Sequence, residues 1–225
     1  MSEIPLNQYG DRSVSTTGAH GVDIASQRID DLDAKCLEYA LSLNTASKFA
    51  LDIGCGSGAQ GVRMAALGVE TLLIDLMDIS DSLTSNCALN NIAFLNKDVR
   101  NLKASDIYKP PSIVYSQRFF HYLKYQEAGD LIQTLSESMP ENSRLFLSAS
   151  GIESELGNHY KAKSLPIENR YSVPAHDLAE KHQIFEPICL YTKDELVSLV
   201  EMYRFKAIDI WSSSFGNIKT VFVKK

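Results

Sequence analysis

Several features that would mark a membrane protein, a secreted protein or a nucleic-acid binder are missing from this chain. No apolar run approaches the roughly 18 residues that a spanning helix needs. The opening MSEIPLNQYGDR has neither the basic nor the apolar region of a secretory leader. The four cysteines (Cys36, Cys55, Cys87 and Cys189) include no Cys-x-x-Cys pair, so buried reduced thiols are expected and a disulfide framework is not. His159, His176 and His182 show no His-x₃-His spacing, and no metal site is expected. Lysine and arginine total 22 against 28 aspartates and glutamates, a net charge of −6 with no basic block, which argues against nucleic acid as partner. A cytoplasmic globular chain without membrane contact is the expectation. Its 225 residues, 44% of them hydrophobic, make one domain with a sizeable core the default.

What is present centres on Phe49 to Gly68, FALDIGCGSGAQGVRMAALG. The stretch reads as a buried strand over 49–53, a turn at Gly54, Gly56 and Gly58, and a helix running to about Leu67. Alternate glycines let a backbone turn sharply and approach a ligand with no Cβ in the way. The following helix should offer unpaired N–H groups and a positive dipole end to a ligand above it. Gly54, Gly56 and Ala59, with Asp75 closing the next strand, also fit a dinucleotide fingerprint loosely, and the glycines alone leave both ligand classes open.

The fuller string, Leu51-Asp52-Ile53-Gly54-Cys55-Gly56-Ser57-Gly58, resembles motif I of the class I S-adenosylmethionine-dependent methyltransferases. A carboxylate at Asp52 suits a ligand with an ammonium group and sits badly beside a pyrophosphate. The resemblance implies S-adenosylmethionine as cofactor and S-adenosylhomocysteine as product. It implies that Asp52 and the backbone of Gly54, Gly56 and Gly58 hold the methionine end, with Asp75 and Leu76 at the ribose side. Asp98 and Val99 would take the adenine, and Ser116 would complete the cofactor contacts. The Asn/Asp-Pro-Pro-Tyr/Phe signature of base methylation is absent after the fourth strand, where Ser116-Gln117-Arg118-Phe119-Phe120-His121 stands instead. A small-molecule acceptor is therefore expected. His121 and His159 are the candidate bases, and Tyr115, Arg118, Tyr160, Arg170 and Tyr171 the candidates to face the acceptor. A nicotinamide-dependent oxidoreductase and a non-catalytic binder of the same cofactor are the alternatives.

The rest of the chain supports an α/β class, a doubly wound, mostly parallel seven-stranded sheet ending in an antiparallel hairpin. Residues 1–46 read as an arm and an amphipathic helix from Gln27 to Leu43, and 47–225 as the methyltransferase domain. Tyr9, Arg12 and His20 of the arm are candidates to line the pocket. Strands are expected over 69–75, 92–94, 112–115 and 144–148, with a helix after Asp75 reaching about Asn91. A polar excursion near 150–190, punctuated by Gly151, Gly157, Pro166, Pro174 and Pro187, reads as a lid-like insertion. Thr192-Lys193-Asp194-Glu195 is a capping box. The strands over 205–211 and 219–224 lie too close together for a crossover, so they must pair antiparallel.

Overall fold

The computed structural model describes residues 29–43, 48–81, 83 and 90–225. The arm with Tyr9, Arg12 and His20, Cys87 and most of the helix expected before Asn91 lie outside them, as does the boundary at residues 46 and 47. Helix α1 (Asp31–Ser42) begins where Asp30 accepts the N–H groups of Leu32 and Asp33, while the Asp33 carboxylate takes the Asp30 N–H. That reciprocal cap satisfies the first donors of the helix, and it starts there rather than at Gln27. Strand β1 (Phe49–Ile53) leads through the glycine turn into α2 (Ala59–Ala66), and β2 (Glu70–Asp75) and β3 (Ile92–Asn96) follow. Then come β4 (Ile113–Ser116), α3 (Tyr125–Ser138), β5 (Arg144–Ser150), α4 (His176–His182), α5 (Lys193–Glu201), β6 (Phe205–Ser212) and β7 (Asn217–Lys224).

The seven strands form one sheet in the order β3-β2-β1-β4-β5-β7-β6. The first five run parallel, and β7 is antiparallel to both neighbours. This is the doubly wound sheet with its terminal hairpin. Between β1 and β4 the winding reverses, which opens a crevice at the carboxyl ends of those strands.

Side chains alternate between two covered faces. Phe49, Leu51 and Ile53 of β1 join Val114, Leu131, Leu135 and Leu199 beneath α3 and α5. Ala50, Ile113, Tyr115, Phe146 and Val221 pack instead on Leu32, Cys36 and Ala40 of α1 and Met64 of α2. Period-2 alternation therefore turns Asp52 and Tyr115 toward α1 and α2.

The 150–190 excursion packs around its own small cluster: Ile152, Leu156, Tyr160, Leu178, Ile184 and Ile188. The Tyr160 hydroxyl donates to the Ile188 carbonyl at 2.5 Å and accepts the Ser172 N–H at 3.1 Å. Removing it leaves buried backbone groups without that partner. Tyr160→Phe should lower stability by about 1–3 kcal/mol in urea unfolding; an unchanged midpoint would refute the role.

Candidate functional site

The three glycines of the turn carry φ values of +64°, +54° and +78°. An L side chain rarely adopts that region. The N–H groups of the turn itself are taken up within the protein. The N–H groups of Gly54 and Cys55 donate to the Ile74 carbonyl at 2.9 and 3.3 Å, and that of Gly58 to Cys55 at 2.9 Å. Gly56 N–H donates to Oδ2 of Asp75 at 2.8 Å. The turn curls back onto the end of β2, a non-local partner that the local glycine pattern did not reveal.

Asp75 sits at the carboxyl end of β2 with its second oxygen on the Met77 N–H at 2.9 Å. Each oxygen keeps lone-pair capacity for a further donor. Beside it Leu76 is 55% exposed, an apolar side chain open to a flat ligand. Helix capping near here falls to Asp78, whose Oδ1 accepts the Ser80 N–H at 3.0 Å.

Asp52 is 3% exposed and faces α2, where its Oδ2 accepts the Gly61 N–H at 2.9 Å. It anchors the helix that follows the turn and places negative charge beneath it. Above the turn lies the Phe119 ring: a Cβ added at Gly54 would meet Phe119 Cγ at 2.3 Å. Gly54 is thus required twice, by its backbone angle and by its neighbour.

The end of β4 brings several polar side chains together. Ser116 is buried and its hydroxyl donates to the Ile53 carbonyl at 2.9 Å, tying β4 to β1. The Gln117 amide N–H₂ donates to Asp30, which fixes the amide orientation because a carboxylate only accepts. Its Oε1 is buried and has no hydrogen-bond partner among the described residues. Asp30 also receives the Lys219 ammonium at 2.7 Å, and Asp31 receives it as well. Gln117, Asp30 and Lys219 were missed by sequence reasoning. The signal available for Gln117 was its place one residue past the strand; Lys219 sits 189 residues from Asp30, and nothing local announces that pair.

Other expected site residues are placed in structural positions. Tyr115 is 2% exposed and its hydroxyl donates to Asp33 on the α1 side, so it does not face the crevice. Burial raises the Tyr115 phenol well above its usual range. His121 is also 2% exposed. Its Nδ1 accepts the Ser150 N–H at 3.4 Å, its carbonyl accepts the Cys189 N–H at 2.7 Å, and its ring lies 4.2 Å from that of Tyr122. The residue fastens β5 to the insertion. His159, with φ +55°, is exposed.

Asp98 gives both oxygens to the Arg100 guanidinium at 2.6–2.9 Å and one to the Arg100 N–H at 3.0 Å. That guanidinium holds the Asp98 carboxyl below its usual range. An adenine amino group there would have to displace one arm of the fork. Val99 is buried in the core beneath α3. Arg170 is buried, with Nη1 donating to Glu195 at 2.8 Å and to the Leu190 carbonyl at 3.1 Å, and Nε and Nη2 donating to the Leu165 carbonyl. Tyr171 is half-buried and its hydroxyl donates to the Tyr122 carbonyl at 3.1 Å. Thus Tyr160 and Arg170 hold the insertion together, and Arg118, Gln117, Phe119, Asp75 and Leu76 line up at the strand ends. No helix among the described residues is long and apolar enough to cross a membrane.

No family model matches the sequence. Over 60 residues the chain is 35% identical to ribosomal protein L11 methyltransferase of Campylobacter lari, a match covering 26% of this chain and 22% of that protein. The chain therefore spans about a fifth of that relative in the matched region. Among solved structures, it resembles magnesium protoporphyrin IX methyltransferase of Synechocystis with bound S-adenosylhomocysteine. The TM-score is 0.61 at 15% identity, with 86% of this chain and 81% of that chain covered. It also resembles 1,6-didemethyltoxoflavin-N1-methyltransferase of Burkholderia thailandensis, with its acceptor and S-adenosylhomocysteine bound. There the TM-score is 0.63 at 13% identity, with 90% and 81% covered.

Proposed function

We propose that this chain, whose fold is that of the S-adenosylmethionine-dependent methyltransferases, moves the methyl group of S-adenosylmethionine onto a small-molecule acceptor by in-line displacement. The carrying observation is Asp75. A carboxylate at the carboxyl end of β2, hydrogen-bonded to the glycine turn and flanked by exposed Leu76, suits a ribose with its base alongside. The similar magnesium protoporphyrin IX methyltransferase and 1,6-didemethyltoxoflavin-N1-methyltransferase favour a small acceptor.

The residues present fit the cofactor. Gln117 Oε1 is a buried acceptor without a donor among the described residues, and an ammonium group is a donor that suits it. Asp30, bonded to the same amide, and Asp52 beneath the turn add negative charge that favours that cation. Bound there, S-adenosylmethionine supplies a methyl group already activated on a sulfonium. The chain's own work is then to bind, orient and exclude water. Asp75 accepts from the ribose, Leu76 covers the base on one side, and the Phe119 ring walls the turn. With His121 buried and engaged by Ser150, the reading includes no protein base, and an acceptor that reacts without proton removal suits this site.

Titration calorimetry with S-adenosylhomocysteine tests the reading. Asp75→Ala should weaken binding by about 1–3 kcal/mol, roughly 5- to 150-fold, for lost charged hydrogen bonds. NADH binding tighter than S-adenosylhomocysteine would overturn it in favour of an oxidoreductase. Failure to transfer labelled methyl into any component of a metabolite extract would leave a non-catalytic binder.

A further inference from the structure

One cation at the carboxyl end of β4 is left without a counter-charge. Among the described arginines, Arg100 forks Asp98, Arg170 pairs with Glu195 and Arg204 lies 3.7 Å from Glu141. Arg63 reaches Gln60, and Arg144 stacks 4.2 Å over the Tyr39 ring. Arg118 has no carboxylate, amide or ring on its guanidinium among the described residues; burial raises the Tyr122 phenol, and the Arg118 charge offsets part of that rise. Its backbone is strained, with φ +51° at a residue that is neither glycine nor asparagine. Two bonds lock that conformation: the Arg118 N–H donates to the Ser148 carbonyl at 3.1 Å and to the Ser148 hydroxyl oxygen at 2.9 Å. The next residue is Phe119, whose ring lies on Gly54. The strained corner therefore fixes, side by side at the end of β4, an arginine without a counter-charge among the described residues and an aromatic wall over the turn.

An anion entering this crevice finds few other donors. The N–H groups of Gly54, Cys55, Gly56 and Gly58 are already bonded within the protein. Lys219 is matched by Asp30 and Asp31. We infer that Arg118 is the seat of a small-molecule carboxylate, packed beside the Phe119 wall. The inference rests on the reading that the crevice takes a nucleoside and an acceptor. The carboxylate has two sources, the amino-acid end of the cofactor or the acceptor itself, and arginine recognises both through the same fork.

The test uses the full chain and two matched pairs of probes. S-adenosylhomocysteine is compared with 5′-methylthioadenosine, which lacks the amino-acid end. Benzoate is compared with benzamide on protein with and without S-adenosylhomocysteine. Each is titrated into the wild type, Arg118→Met and Arg118→Gly. The glycine variant suits a positive φ, so it should melt at or above the wild-type temperature and keeps the test independent of folding. One carboxylate probe should lose at least about tenfold in both variants while its uncharged counterpart moves less than twofold. Loss on S-adenosylhomocysteine names the cofactor as the source, and loss on benzoate names the acceptor. If both carboxylates bind both variants within about twofold of the wild type, the seat is refuted. If neither nucleoside binds the wild type, the methyltransferase reading fails, and the benzoate and benzamide arm on the unloaded protein still decides the case of Arg118.

Discussion

Gly54→Ala is expected to destabilise the protein by about 2–5 kcal/mol and to abolish binding of S-adenosylhomocysteine, combining a backbone penalty with a steric one. At φ +64° an L side chain pays about 1–2 kcal/mol for the left-handed conformation. Its Cβ would also lie 2.3 Å from Phe119 Cγ and 2.8 Å from Phe119 Cβ, inside any tolerable contact. Because the second of those atoms sits at the root of the side chain, rotating the ring alone does not relieve it. The Arg118–Phe119 corner must move, and overpacking of this kind costs about 1–3 kcal/mol. The two parts can be separated by a double-mutant cycle in urea. Adding Phe119→Ala to Gly54→Ala should return the ring's share of the steric part and leave the backbone part with the 2.8 Å contact to the retained Cβ. Strictly additive effects would show that the ring contact is not the cause.

The same corner shows where the sequence was legible. The strand, the glycine turn and the stop at Gly68 are local patterns, and they stand where periodicity and turn chemistry put them. The antiparallel finish was legible in the short gap before β7, whereas the order of the seven strands in the sheet is not written in their spacing. Directions were less legible than elements, although alternation held the information. Ala50 and Ile113 are core positions facing α1, and counting by two from them turns Asp52 and Tyr115 the same way. Tyr160 and Arg170 looked like ligands because they are polar residues in a polar excursion. Their partners, Ile188, Ser172, Leu190 and Glu195, are set by how the excursion folds on itself, which no local pattern encodes. Gln117 and Lys219 escaped notice for the same reason. Their significance lies in Asp30, which the sequence reading placed within a helix begun at Gln27 and which in space caps α1 and joins the end of β4 to β7.

That junction carries the largest expected effect on stability. Replacing both Asp30 and Asp31 by asparagine should cost about 3–5 kcal/mol, because Lys219 is then buried without a counter-charge. The Lys219 side chain is 7% exposed and bonds both carboxylates. Asparagine preserves the capping contacts: its one oxygen at position 30 still accepts the Leu32 and Asp33 N–H groups, and at position 31 it still accepts from the Trp211 indole, which donates to Asp31 at 2.7 Å, while the Gln117 contact on the other Asp30 oxygen is lost. The loss therefore reports charge rather than capping. An unpaired buried ammonium is relieved by losing its proton, which the unfolded chain retains to higher pH. The unfolded state then binds more protons, so the deficit of the double variant should shrink as pH rises from neutrality toward the alkaline range. The wild type titrates from the other side. Burial pushes the Asp31 carboxyl up, but the hydrogen bonds from Lys219 and Trp211 outweigh it, and the net shift is downward. Its stabilising contribution is therefore full above the usual carboxylate range and fades as pH falls through the lowered value. Adding Lys219→Met to the double variant removes the stranded charge and should recover most of the loss. A deficit that persists in the triple variant, or that stays flat with rising pH in the double, would mean that the carboxylates act through packing and not through the buried cation.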